Sequence, residues 1–132
     1  MESDDTIEIN EVGLYSGTPY HGVFKVKTML SRQDRFAADE QRRRILGIDA
    51  NNAMPGLQGE AMMLGQLYVR ILDGPDWWKN TRFGLDLQDD NIIGTLFAGC
   101  IKKENERIAS IKKKAIEALD KMKAEEKKEE KK

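Results

Sequence analysis

Apolar residues recur at helical spacing in the middle of the chain. Between positions 57 and 72 they follow one another three or four residues apart, at Leu57, Ala61, Leu64, Tyr68 and Ile71. This spacing places them on one face of an α-helix. Asp73-Gly74-Pro75 ends the pattern, because glycine can adopt a left-handed cap and proline cannot continue a helix. We therefore predict a central helix from Leu57 to Leu72 that carries an apolar stripe into a core.

The N-terminal part has a different period, in which apolar and polar residues alternate. Ile7 and Ile9 are separated by polar residues, as on a strand with one buried face. A second segment of this kind runs from Val23 to Met29, and turn formers fill the connection from Tyr15 to Gly22. The pattern predicts a β-hairpin that packs on the helices or adds to the sheet of another chain.

Two more helices are predicted on either side of the central one. Ser31 is a typical N-cap residue and Gly47 a typical C-terminal glycine, so the first helix should run from Arg32 to Leu46. The last helix begins near Asp89 and keeps its apolar spacing as far as Met122. Unbroken, it would be roughly 60 Å long at about 1.5 Å per residue. Its second half must then project from so small a domain, or the helix must break, at Gly99 or within the polar stretch 102–107.

These elements predict an α+β protein. An N-terminal β-hairpin is followed by about three helices, of which the last is long and projecting and ends in a charged tail. We expect a compact α+β domain at residues 1–101 and a charged amphipathic helical extension at residues 102–132. The end of the extension should be either disordered or a solvated helix, because almost no apolar residues remain there.

Charge is unevenly divided along the 132 residues, of which 34% are charged. Residues 102–132 hold twelve basic and eight acidic residues, a net charge of +4, whereas residues 1–101 hold ten and fifteen, a net charge of −5. The acidic body makes nucleic acid an improbable partner, because phosphate binding needs clustered Lys and Arg. The sequence shows neither an apolar leader after a basic start nor an uninterrupted apolar run long enough for a membrane span. We therefore expect neither a secreted nor a membrane protein.

The residue types that support catalysis are sparse. His21 is the only histidine, so a triad or a histidine metal site would depend on one residue in a turn. Cys100, the only cysteine, lies on the apolar face of the last helix and is expected to be a small core residue. The carboxylates of Asp86, Asp89 and Asp90 are better explained by helix capping than by a bound cation. We predict no enzymatic activity, no cofactor and no metal.

Protein binding is the function for which candidate residues exist. Trp77 and Trp78 directly follow the central helix, and adjacent tryptophans commonly divide between the core and an exposed position that suits an interface. Both uses are open for this pair. The predicted protein-binding residues are these two tryptophans and the apolar face of the extension, Ile108, Ile111, Leu119 and Met122.

Three segments of the sequence carry a recognisable set of motifs. They are GVFKVKTMLSRQDRFAADEQRRRILG, LYVRILDGPDWW and GLDLQDDNIIGTLF. Together they resemble a group of small proteins encoded in the structural gene clusters of tailed bacteriophages. In that group a short β portion leads to a helix with Asp and Arg-Arg before Leu-Gly. A second helix ends in an apolar-Pro-Trp/Phe-Trp motif, and a third opens with Asp-Asn and an aliphatic residue. The resemblance covers about Val12 to Ile101.

The resemblance implies a non-enzymatic bacteriophage morphogenesis protein that acts by protein–protein binding. Its first implication is a tail assembly chaperone, a factor that coats the tape measure protein while tail tube subunits polymerise in the host cytoplasm. The Lys127-Lys128 pair is compatible with a longer form made by frameshifting. Two alternatives stay open, namely a phage host-interaction protein and a structural component of the virion, such as a head decoration, cement, neck or tail connector protein. The partners would be tape measure or tail tube proteins, or else capsid or neck subunits, and self-association is a further option.

Overall fold

The computed structural model describes residues 4–130 of the chain. In order, the elements are β1 (Asp4–Val12), β2 (Pro19–Lys27), α1 (Arg32–Leu46), a 3-10 turn (Ala50–Asn52), α2 (Pro55–Arg70), β3 (Ile71–Asp73), α3 (Asp76–Asn80) and α4 (Asp90–Glu130). The α+β class, the N-terminal hairpin and the long final helix are confirmed. The structure adds a third strand and a fourth helix to the predicted elements. The final residues of the predicted extension, 131 and 132, lie outside the described part.

The N-terminal hairpin is more extended than the sequence predicted. β1 and β2 pair antiparallel from Asp4 opposite Lys27 to Val12 opposite Pro19. The connection is short, and Gly17 takes a φ of 76° within it. β2 therefore begins at Pro19 rather than Val23, because pairing with β1 extends strand geometry into residues that otherwise favour turns.

β3 was not predicted from the sequence. Its three residues follow α2 without a loop and pair antiparallel with β2, next to an irregularity at Lys25 and Val26. The helical spacing continues through Leu72, so the pattern predicted helix where the chain pairs with a strand. Because β3 pairs with β2, the residues that follow β3 place α3 against the inner face of the sheet.

α1 has the predicted bounds and is capped as expected. The Ser31 side chain accepts a hydrogen bond from the Asp34 backbone N–H, and the Asp34 side chain accepts one from the Ser31 N–H, so both halves of a capping box form. Gly47 ends the helix with a φ of 86°. α1 packs on α2, where the backbones approach so closely that a Cβ on Gly65 would lie 2.5 Å from the Ala38 carbonyl oxygen.

The buried residues of α2 agree only in part with the predicted stripe: Ala61 is buried, and Leu64 packs against the core. Leu57 and Tyr68 of that stripe are about half exposed, at 51% and 45%. The buried positions are Ala61, Gly65, Leu67 and Arg70. α2 contacts α1 as well as β2, β3 and α4. Since it is covered from more than one direction, a single stripe does not describe its buried surface.

One core joins the inner face of the sheet to α2, α3 and the first half of α4. Its buried members are Ile7, Ile9, Phe24, Val26, Leu67, Trp78, Leu87, Ile92, Ile93, Leu96 and Cys100. Both tryptophan rings contact the Phe24 ring edge-on, at centroid distances of 5.5 Å for Trp77 and 5.7 Å for Trp78. Aromatic packing therefore links α3 to the sheet.

Candidate protein-binding surface

α4 is a single helix of 41 residues whose first half belongs to the compact part. It packs across β1 and against α2. Gly99 allows the close approach to the sheet, since a Cβ there would lie 3.0 Å from the Ile7 Cδ1 atom. The helix continues through Gly99 and through 102–107, so neither position is a break. The contacts with neighbouring elements explain why this glycine does not end the helix.

A buried arginine fixes the direction in which α4 leaves the compact part. Arg70 is only 2% exposed. Its guanidinium donates to the Gln66 side chain at 3.2 Å, to the Thr28 carbonyl oxygen at 3.2 Å and to the Glu104 carboxylate at 2.8 Å. The segment directly after β2, α2 and α4 are thus connected through one side chain. Packing against the compact part therefore continues beyond Ile101, the predicted end of the compact domain.

A second buried polar side chain joins the start of α4 to the hairpin connection. The Asp89 side chain accepts four hydrogen bonds of 2.7 to 2.9 Å. Two come from the backbone N–H groups of Tyr15 and Ser16, and two from the hydroxyls of Ser16 and Tyr20. Burial by itself would raise the pKa of Asp89, but these hydrogen bonds outweigh it and lower the pKa to about 2. The sequence predicted that Asp89 caps the last helix, but its side chain binds the hairpin connection instead.

Beyond Ile108 the apolar face of α4 is open. We call the residues Ile108, Ile111, Ala115, Leu119 and Met122 the α4 stripe. Ile108 is half-buried, whereas Ile111, Leu119 and Met122 are 46%, 50% and 62% exposed. From Ala109 to Glu130 the helix extends about 33 Å at 1.5 Å per residue. Every described side chain from Ala109 to Lys128 is exposed, so this half of the helix is free of the compact part.

An open groove lies where α4 leaves the compact part. Its volume is ≈ 420 Å³, and its apolar lining comes from Met29 and Leu30 after β2 and from Ile101 and Ile108 of α4. Because Ile108 belongs to both, the apolar side of the groove is continuous with the α4 stripe. The other side of the groove is polar and is lined by Arg35, Gln66, Arg70 and Glu104. A helix lying along the stripe would reach the groove at its domain end.

The two tryptophans do not form an exposed pair. Trp78 is 1% exposed, and its ring lies over Gly84, where a Cβ would come within 2.7 Å of it. This burial corrects the assignment of Trp78 to a binding surface, because β3 directs α3 into the core. Trp77 is half-buried, and its Nε1–H donates to the His21 carbonyl oxygen at 2.9 Å. Its ring is thereby held against the sheet.

The histidine and the cysteine singled out in the sequence lie on different elements. His21 is exposed on β2, and Cys100 is buried on the inner face of α4, where burial raises the pKa of its thiol to about 11. Residues 4–130 contain no cluster of three or more His, Cys, Asp or Glu arranged to hold a metal ion. Over the same residues, none of the helices combines the length and the apolar character that crossing a membrane requires.

Sequence reasoning found the α4 stripe but missed Arg70 and the contact of Asp89 with the hairpin connection. Arg70 interrupts an otherwise apolar stretch of α2, which is a signal that could have marked it as a paired buried cation. Asp89 carries no such signal, because its bonding partners lie more than 65 residues away in sequence.

Compared with known proteins, the chain matches no family model, no curated protein and no solved structure.

Proposed function

We propose that this protein is a non-enzymatic bacteriophage morphogenesis factor of the tail assembly chaperone kind, which binds a phage structural protein through the α4 stripe. The observation that carries the proposal is the free half of α4, where the apolar side chains of the α4 stripe lie open to solvent over about 21 Å of helix, from Ile108 to Met122. Monomeric soluble proteins rarely expose continuous apolar surface unless it binds something.

Helix energetics supports the same use of this segment. In water, an isolated helix of this length is marginal even when its residues favour helix formation. The described side chains from Ala109 to Lys128 are all exposed, so packing on the compact part contributes little to the stability of this segment. A protein partner that covers the α4 stripe would supply the missing apolar contacts, so binding and helix order would reinforce each other.

The phage setting is supported by the sequence resemblance alone. The segments that carry it fall on β2 and α1, on the end of α2 with α3, and on the start of α4. In this structure these segments contain the capping box of α1, the packed rings of Trp77 and Trp78, and Asp89 with its hydrogen bonds to the hairpin connection. The resemblance therefore concerns the compact part, and the free half of α4 provides the proposed binding surface.

Site-specific crosslinking tests the proposal. Leu119 is replaced by p-benzoylphenylalanine and the chain is produced in cells that are assembling phage, with Lys113 on the opposite face of the helix replaced in the same way as the control. We expect a covalent adduct with a tape measure or tail tube protein from position 119 but not from position 113. No adduct from either position, or adducts of equal yield, would contradict binding through the α4 stripe.

A structural component of the virion is the second candidate, and the sheet provides the observation that favours it. β1 is a nine-residue strand at the edge of the sheet, paired only with β2 among the described residues. An unpaired edge of this length can accept a strand from another subunit. A capsid, neck or connector subunit could be joined in this way.

Mass spectrometry of purified infectious particles separates the two candidates. An assembly factor leaves before the particle is complete, so the 15.1 kDa chain should be absent from virions. A fixed stoichiometric copy number in virions would instead favour the structural component and contradict the chaperone.

A further inference from the structure

The apolar residues of α4 repeat every seven positions. Ile101, Ile108, Ala115 and Met122 follow this spacing, and Ile111 and Ala118 fall three residues after two of them. A seven-residue repeat is the pattern of a helix that pairs with a second helix in a left-handed coiled coil. The alanines at the centre of the repeat would let the two backbones approach closely.

A row of basic residues follows the same repeat along one side of the stripe. From Ile108 onward, each position of the seven-residue series is directly preceded by a basic residue. These residues are Arg107 before Ile108, Lys114 before Ala115, Lys121 before Met122, and Lys128 before the next position of the series. In a coiled coil this position flanks the apolar seam and sets the choice of partner. Among the described residues, Arg107, Lys114 and Lys121 make no hydrogen bond or ion pair that would neutralise them within the chain.

This row argues against a second copy as the occupant. If two copies paired antiparallel, the basic rows would face each other, because this flank meets the equivalent flank of its partner. If they paired parallel, the flank positions in contact would be five residues apart, so Arg107 would meet Lys112 of the other copy and Lys114 would meet Leu119. Only Lys121 would meet an acidic residue, Glu126. Neither arrangement gains net ion pairing, because like charges reduce the stability of the pair and, in the parallel one, the single Lys121–Glu126 contact only offsets the Arg107–Lys112 repulsion. A partner with acidic flanks would form ion pairs instead.

We infer that the α4 stripe pairs with an amphipathic helix of another protein that carries Asp or Glu along the flanks of its apolar seam. This inference rests on the proposed function and adds the chemistry of the partner. The domain end of that helix would enter the groove beside Ile101 and Ile108. The pairing is a short, two-stranded coiled coil in which Arg107, Lys114 and Lys121 contact acidic side chains.

An anionic membrane is a weaker fit for the same basic helix. Amphipathic helices that bind membranes commonly carry aromatic residues on the apolar face, and this chain has none after Phe97. The outer face of α4 also carries Glu117 and Asp120, which an anionic surface would repel. The apolar face is narrow and includes two alanines, which suits helix pairing better than insertion into lipid.

Two synthetic peptides of about 28 residues, or four heptads, test the inference with the full chain. Both have leucine at the seam positions; one has Glu and the other Lys at the flanking positions. In fluorescence anisotropy at low salt, we expect the acidic peptide to bind at least about tenfold more tightly than the basic one, as a few exposed ion pairs would give. Raising the salt concentration should reduce that ratio.

A charge reversal and a matched control locate the effect. The variant K114E/K121E should reverse the preference between the two peptides. The control K113E/K127E makes the same change in net charge on the opposite face of α4 and should keep the wild-type preference. Ile111→Ser should weaken binding of the acidic peptide about tenfold, whereas Ile116→Ser, at an exposed position outside the repeat, should leave it unchanged.

Four results would overturn the inference. They are equal binding of both peptides, no binding of either, a concentration-dependent dimer of the chain that Ile111→Ser abolishes, or tighter binding to phosphatidylserine vesicles than to the acidic peptide. The crosslinking experiment at Leu119 separates this failure from that of the proposed function. If position 119 crosslinks to a phage protein while the peptides are bound equally, only the acidic chemistry of the partner is wrong.

Discussion

Two buried polar side chains attach the first half of α4 to the rest of the compact part. Asp89 binds the hairpin connection at one end, and Arg70 binds Glu104 and the Thr28 carbonyl further along. Every buried side-chain nitrogen and oxygen among the described residues has a hydrogen-bond partner. Because an unsatisfied buried polar group costs about 1–3 kcal/mol, both side chains restrict the chain to one arrangement.

The Asp89 network predicts a loss of stability in acid that depends on this one carboxylate. The pKa of Asp89 is lowered from 3.8 to about 2, so its stabilising effect is complete above about pH 4 and disappears as the pH falls to about 2. Urea unfolding followed by tryptophan fluorescence at pH 7, 4, 3 and 2 should show this loss. In Asp89→Asn the stability at pH 7 should be lower and its decrease between pH 4 and pH 2 smaller.

Asp90→Asn is the matched control, because it removes the neighbouring exposed carboxylate and the same charge. It should retain the acid dependence of the wild type. An Asp89→Asn variant with an unchanged acid profile would show that the hairpin contacts do not hold the ionised carboxylate.

The Arg70–Glu104 pair predicts a strong effect of removing its acidic member. Glu104→Ala leaves the guanidinium of Arg70 at 2% exposure without its carboxylate partner. We expect a loss of about 3 kcal/mol in unfolding free energy, the low end for breaking a buried ion pair, because Glu104 itself is partly exposed. Chemical denaturation followed by circular dichroism measures it.

Glu106→Ala provides the comparison on the same helix, since Glu106 is exposed. Its effect should stay within about 0.5 kcal/mol. Equal losses in the two variants would mean that the ion pair is not what holds α4 at this point.

At the scale of elements, the contact between α1 and α2 depends on a glycine. α1 contacts α2 and the 3-10 turn and makes few other contacts, and its one buried residue is Ala38. At Gly65 the α2 backbone lies against the Ala38 carbonyl, with no room for a methyl group. α1 is therefore held by close backbone packing more than by a large apolar face.

Two glycine substitutions in α2 should have opposite effects. Gly65→Ala forces α1 away from α2 and should destabilise the protein by about 1–3 kcal/mol, as overpacking does. Gly59→Ala, where a Cβ meets nothing within 4 Å, should stabilise it by about 0.5–1 kcal/mol through the better helix propensity of alanine. Equilibrium unfolding in urea distinguishes them. Equal effects of the two changes would contradict the close helix contact.

The elements that local signals specify were predicted most accurately. α1 has both its cap and its terminal glycine in the sequence, and its bounds agree with the structure. β3 could not be predicted, because its pairing with β2 involves residues more than 40 positions away and no local signal interrupts the helical spacing. The buried faces of α2 depend on which elements cover it, so periodicity alone identified only part of them.

The whole molecule combines a compact α+β part with a helix that extends beyond it. Its core reaches Cys100 and its buried polar contacts reach Glu104, and the described side chains after Ile108 are exposed. The two parts share α4 without an interruption. Stability and partner binding should therefore be separable by shortening one helix.

Truncation tests this separation. A chain that ends at Ser110 should unfold within about 2 °C of the full chain, because it loses no contact with the compact part, yet it should not bind the acidic peptide. A chain that ends at Gly99 also loses Cys100 and Glu104 and should unfold at a clearly lower temperature. Thermal unfolding followed by near-ultraviolet circular dichroism measures both. A large loss of stability in the chain that ends at Ser110 would contradict the independence of the free half.

The sequence by itself determined the class of fold, the bounds of α1, the start of α4 and the residues of the α4 stripe. Each of these follows from local periodicity, from caps or from composition, which need no knowledge of the neighbours. Only the tertiary structure decided that Trp78 is core, that Gly99 packs on a strand and that Asp89 binds the hairpin. In each case the deciding contact joins residues distant in sequence, and local patterns carry no information about which of them meet.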